Sequence, residues 1–338
     1  MGVRTGTADR SGAGWPARLH VVTGKGGTGK TTVAAALALA LAAGGRRTLL
    51  VEVEGWQGIA QLFGTDPLPY EEMRLTAVAG GGEVRALAVD AEAALLEYLD
   101  MFYKLGAAGR ALRKLGAIDF ATTIAPGLRD VLLTGKVKEA TTRTADWRRV
   151  YDAVVLDAPP TGRIGPFLNV TTETARLAKV GPIKTQSEGV AALLRSPITA
   201  VHVVTLLEEM PVQETIDAVA DLAKLRIPVG RVIVNGARRP VLAGRVTQAE
   251  LRRGLAAAGL PTDRATVVGL HAEARDQLTR HALEESLRTD LVELGLPLVE
   301  LPLLADGVDR AGLDTLAEAL AAVGTPAADA GAPTPGAD

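Results

Sequence analysis

The chain has 338 residues, 47% of them hydrophobic, and a formal net charge of −2, enough for a sizeable core in one large or two smaller domains. So even a charge balance argues against nucleic acid or an anionic membrane as an obligate partner, since both favour a strongly basic face. With no cysteine, disulfides, iron–sulfur clusters, thiolate zinc sites and cysteine nucleophiles are excluded, and His20, His202, His271 and His281 lack metal-ligand spacing.

In chain order, residues 1–17 mix Gly, Arg, Thr and Ser around no apolar centre, so they read as a disordered arm and not an export signal. Residues 19–23 read as a strand, then comes Gly24-Lys25-Gly26-Gly27-Thr28-Gly29-Lys30-Thr31, then a helix over 31–43. The apolar run 33–43 has eleven residues, about half of what crossing a bilayer requires, so it is expected in the core and no integral membrane protein is expected. Further β-rich runs fall at 48–53, 84–89, 152–157, 201–206, 231–234 and 298–301. Helical patterns separate them, among them 91–105, with Leu95, Tyr98, Leu99, Phe102 and Leu105 on one stripe, and 211–225, which begins with proline.

Runs such as Ala153-Val154-Val155-Leu156 are apolar without alternation, as when helices cover both faces of a mostly parallel sheet. The expected fold is therefore α/β, a mostly parallel sheet flanked by helices over residues 18–324. Helical insertions are expected at about 91–149, 164–195 and 237–293, the first two forming a subdomain beside the sheet. Within the last, Thr247-Gln248-Ala249-Glu250 spells a capping box, and 271–291 reads as a solvated surface helix. Residues 325–338 consist of Ala, Pro, Gly, Asp and Thr, too poor in large apolar groups to order, and are expected to be a disordered tail.

The glycine loop carries the chemistry. A triphosphate presents anionic oxygens that must lose water, and backbone N–H groups at the positive end of a helix replace that water compactly. Gly24, Gly26, Gly27 and Gly29 remove obstructing side chains, Thr28 and Thr32 complete the loop and first helical turn, Lys30 reaches the β/γ-phosphates, and the Thr31 hydroxyl ligates Mg²⁺. The pattern between a strand and a helix implies ATP and Mg²⁺. Downstream, Val154-Val155-Leu156-Asp157 is an apolar strand ending in a carboxylate, suited to the Mg²⁺ water shell, and Ala158-Pro159-Pro160-Thr161-Gly162 reads as a switch whose Gly162 N–H can turn toward a γ-phosphate. A third strand ends in Asn235, whose amide can read an adenine edge or simply make a turn.

With Lys25 ahead of Gly26-Gly27-Thr28-Gly29-Lys30-Thr31, the loop resembles the deviant Walker A motif of the MinD/ParA/ArsA/nitrogenase-iron-protein group. Asp157-Ala158-Pro159-Pro160-Thr161-Gly162 resembles the switch of ArsA-type ATPases, the arsenical-pump ATPases and tail-anchored-protein targeting factors. Residues 232–235 and Leu301-Pro302-Leu303-Leu304 fall in family order, which adds Pro302 to the nucleotide-binding set, and the resemblance covers about residues 18–322. It implies a cytoplasmic ATPase, at most peripheral to a membrane, acting as a homodimer or as a heterodimer with an ArsA-like paralogue. It also implies that Lys25 of one subunit reaches the other's nucleotide, as an arginine finger does, and that nucleotide state is coupled to a protein client or a membrane-protein partner.

Departures from the family temper this. The family's Asp-Pro pair after the second strand is replaced by Glu54-Gly55. Glu54 takes the place of the water-positioning aspartate, and its extra methylene moves the carboxylate and implies slow hydrolysis. The alternatives are that Glu54 only caps or pairs with an arginine, and that the chain is a nucleotide-binding regulatory or scaffold subunit with little hydrolysis. The metalloid-binding cysteines of the pumps and the zinc-binding Cys-x-x-Cys of many targeting factors are absent, and methionines suited to a client groove reduce to Met101 and Met210. The pattern is nearest to cysteine-free bacterial ArsA-like ATPases.

Overall fold

The computed structural model describes residues 14–103, 126–170, 182–242, 244–305 and 307–323. In chain order these form β1 Leu19–Gly24, α1 Lys30–Ala42, β2 Arg47–Glu52, α2 Gly58–Phe63, β3 Met73–Val78, β4 Gly82–Ala88, α3 Ala91–Tyr103, α4 Pro126–Thr142, β5 Thr144–Ala145, β6 Arg148–Arg149, β7 Ala153–Asp157, α5 Thr161–Leu168, α6 Pro182–Leu194, β8 Thr199–Thr205, α7 Glu209–Lys224, β9 Val229–Ala237, α8 Gln248–Ala257, α9 Arg264–Val292, β10 Leu298–Pro302 and α10 Arg310–Ala322.

An eight-stranded sheet, in the order β10-β9-β8-β1-β7-β2-β4-β3, is parallel throughout except for the antiparallel edge strand β3. Side chains alternate across it. Leu19, Val21, Leu49, Val51, Val154 and Leu156 face one core, closed by α3, α4, α5 and α6. Val22, Leu50, Val155, Val204 and Ile233 face the other, where α1 lies between the sheet and α10. Because it is covered on both sides, α1 is buried from Val33 to Ala42 and needs no polar stripe. This is the core helix expected from its apolar run.

Several details depart from the sequence expectations. The insertion over 91–149 is not helical throughout: beyond α3 and α4, residues 144–149 form a two-stranded hairpin. The edge strand β3 and the short α2 were not expected. The first-turn proline of α7 is Pro211, two residues inside the helix. Trp15, assigned to the arm, is buried and its indole N–H donates to the Leu320 carbonyl at 2.9 Å. Residues 1–13 of the arm, the tail and Leu105 lie outside the described residues, as do the side chains of Met101 and Phe102. In the second long segment, the Thr247–Glu250 capping box forms as read, and α9 runs for 29 residues with Val267, Glu284, Leu287 and Leu291 buried.

Candidate nucleotide site at the carboxyl edge of the sheet

Parallel strands bring their carboxyl ends to one edge, where open α/β sheets bind ligands. Here β1 delivers the glycine loop, β7 delivers Asp157, β2 delivers Glu52 and the turn to Glu54, and β9 delivers Asn235. A cavity of about 440 Å³ opens between the first three, lined by Gly26, Lys30, Thr31, Glu52, Glu54, Trp56, Gly58, Asp157, Ala158, Pro160 and Arg163.

The loop leaves no room for side chains at two of its glycines. A Cβ on Gly24 would sit 2.1 Å from the Val204 carbonyl oxygen of β8. Gly29 caps α1 at φ 87°, and a Cβ there would meet the Asn235 amide nitrogen at 2.3 Å. Both positions need glycine for physical reasons internal to the fold. Gly26 and Gly27 meet nothing within 4 Å, which leaves space for a ligand. Thr28 is buried, donates its hydroxyl to the Lys25 carbonyl at 2.9 Å, and its own carbonyl accepts the Asn235 amide N–H at 2.9 Å. Asn235 therefore braces the loop. Lys30, Thr31 and Thr32 form the first turn of α1.

Thr31 and Asp157, assigned to the metal from sequence, are in contact: the Thr31 hydroxyl donates to Asp157 Oδ2 at 2.7 Å. Asp157 Oδ1 is buried with no hydrogen-bond partner, an expensive arrangement for a carboxylate. Burial raises the Asp157 pKa to about 7, against the Thr31 hydrogen bond and the Lys30 charge, with Glu52 and Glu54 adding to the rise. An orphaned, hard oxygen beside a threonine hydroxyl fits Mg²⁺ well. No cluster of three His, Asp or Glu residues able to hold a metal occurs among the described residues, so phosphate oxygens and water would supply the remaining ligands, as Mg²⁺ prefers.

The switch segment follows. Thr161 and Gly162 open α5, so the Gly162 N–H lies in the first turn, where helix donors have no intrahelical acceptor. Glu54 reaches Arg163 of the same helix, 3.4 Å from carboxylate to guanidinium. Pro302 ends β10 opposite Ala237 of β9, on the Asn235 side of the site.

Two residues escaped the sequence reading. Glu52 is buried at 2% exposure and its two oxygens accept the backbone N–H groups of Gln57 and Ile59, which fixes the turn carrying Glu54. A carboxylate ending an apolar strand beside the Asp157 strand was the available signal. Glu214 of α7 pairs with the ammonium of Lys25 and accepts the Thr161 hydroxyl at 2.7 Å; no local pattern announces it.

Residues 17–197 match the family model described as anion-transporting ATPase. The chain is 53% identical to ATPase BagA of Mycobacterium tuberculosis over 340 aligned residues, covering 95% of this chain and 99% of that protein. It is 25% identical to ATPase GET3 of Kluyveromyces lactis over 249 residues, 63% of this chain and 70% of that protein. It is 27% identical to ATPase ARSA1 of Chlamydomonas reinhardtii over 214 residues, 56% of this chain and 27% of that protein.

Proposed function

The chain belongs to the anion-transporting ATPase family and is an ATP hydrolase, and from that premise we propose that it turns over ATP as a Mg²⁺-dependent dimer whose opening and closing drive a protein client or membrane-protein partner. No helix among the described residues is long and apolar enough to cross a membrane, so a membrane partner would be a separate protein. The observation that carries the reading is the contact of the Thr31 hydroxyl with Asp157 beneath the glycine loop, with Asp157 Oδ1 left over. Bound Mg²⁺ would neutralise charge on the β/γ-phosphate oxygens. Lys30 holds those phosphates, Gly162 offers its N–H to the γ-phosphate, Glu54 orients the attacking water, Asn235 and Pro302 flank the base, and Lys25 reaches the partner subunit's nucleotide. Hydrolysis that survives Lys30→Ala at the wild-type rate would refute it; the expected rate is background.

A second reading has its own observation. Glu54 Oε1 lies 3.4 Å from the Arg163 guanidinium, so in this state one of its two oxygens is shared with a cation. A regulatory or scaffold subunit that binds ATP with little turnover would keep that pair in the ATP complex. Turnover that is insensitive to Glu54→Gln, with ATP-driven dimer closure intact, selects this second reading.

A further inference from the structure

Glu214 projects from α7, a helix packed on both β8 and α5, and its carboxylate joins the two loops that frame the phosphate site. One oxygen takes the ammonium of Lys25, from the glycine loop; the other accepts the hydroxyl of Thr161, the first residue of the switch helix. We propose that Glu214 is a positioning residue that parks Lys25 within its own subunit and, through Thr161, holds the Asp157–Gly162 switch in place until ATP draws the lysine away.

The weakness of the contact supports a latch over a structural brace. The Lys25 and Glu214 side chains are 30% and 33% exposed, and ion pairs open to water contribute little net stability. A triphosphate, with several negative charges in a glycine-lined pocket, outcompetes a single exposed carboxylate for the same cation. Once Lys25 leaves, the neutral Thr161 hydroxyl is the remaining tether between Glu214 and the first turn of α5, so that turn, which carries Arg163 and its contact to Glu54, is held less firmly than when the glycine loop is latched to the same carboxylate. The destination of Lys25, a nucleotide in a second subunit, rests on the dimer proposed above; the parking itself does not.

The test uses the full chain, Mg²⁺ and the slowly hydrolysed analogue ATPγS as probe. Glu214→Gln keeps an acceptor for Thr161 and removes only the charge that holds Lys25, so the analogue should bind about two- to fivefold more tightly, the range set by an exposed ion pair. In a Lys25→Ala background the same substitution should change nothing. Glu214→Ala removes both tethers, and tryptic cleavage after Arg163 without nucleotide should be faster than in wild type or Glu214→Gln, identified by the mass of the new fragment. Unchanged affinity in Glu214→Gln, or equal tightening with Lys25 absent, overturns the latch, and cleavage at the wild-type rate in Glu214→Ala overturns its link to the switch. Molecular mass measured in the same titration separates the two readings. Tightening without dimerisation keeps the latch and sinks the action in trans, whereas dimerisation without tightening does the reverse.

Discussion

On one side of the nucleotide pocket, Thr31 and Asp157 meet at 2.7 Å beneath a loop in which the Cβ positions of Gly24 and Gly29 are filled by neighbouring atoms. On the other, Glu54 and Arg163 meet at 3.4 Å with side chains 24% and 57% exposed. The first side is built from backbone and burial. The second is a solvent-screened pair that exchanges partners at small cost. The phosphate and metal roles proposed above thus fall on the rigid half, and the proposed water-orienting role falls on a side chain held in an exchangeable pair.

That contrast predicts unequal responses to substitution. Lys30→Ala, on the rigid side, should lower turnover by about 100-fold or more, the scale for losing a preorganised charge at a transferring group, measured as phosphate release in excess Mg²⁺ and ATP. Glu54→Gln should lower it by about tenfold, within what a water-orienting carboxylate supplies, with ATP affinity unchanged; a change in affinity instead would place Glu54 with the binding residues. Gly29→Ala should destabilise the fold by about 1–3 kcal/mol, the usual range for a non-glycine residue held at positive φ, read by urea unfolding. Adding Asn235→Ala relieves the 2.3 Å clash but not the φ, so rescue should be partial. Arg163→Ala should change turnover by less than about fivefold, the limit for an exposed pair.

The buried titratable groups also differ in their response to pH. The Asp157 pKa is raised to about 7 by burial, so between the unfolded value near 4 and about 7 the folded protein binds more protons than the unfolded one. That term makes stability fall as pH rises through this window. Deeper in the sheet, His20 donates from Nε2 to the Ala17 carbonyl at 2.9 Å, which leaves Nδ1 to accept from His202 Nε2 at 3.0 Å; both rings are neutral. Burial lowers the His20 pKa to about 4 and that of His202 below its ordinary value. Their term has the opposite sign: the unfolded histidines bind more protons below about 6.5, so stability is lost as pH falls. The two nearly overlap, and only the difference between wild type and Asp157→Asn isolates the site. Without metal or nucleotide, that variant should be increasingly the more stable protein as pH goes from 4 to 7.

The rigid half was also the legible half. Each of its determinants is local in sequence: glycines at fixed offsets, a lysine and threonine opening a helix, an aspartate ending an apolar strand. The links that complete the site depend on strand order and helix phase instead. Asn235 reaches Thr28 because β9 lies two strands from β1, and Glu214 reaches Lys25 because α7 packs beside β8. The edge strand β3 is half-buried without a continuous apolar run. The 144–149 hairpin turns through Asp146 and Trp147 at φ 49° and 62°, positions where glycine or asparagine would have signalled the turn.

The central claim is that Thr31 and Asp157 form the metal half of an ATP site. ATP affinity measured by calorimetry with and without Mg²⁺, in wild type and Asp157→Asn, tests it most directly. The account predicts at least about tenfold tighter binding with Mg²⁺ in wild type, from the added charge neutralisation, and loss of most of that gain in the variant. An equal Mg²⁺ gain in both proteins would contradict it.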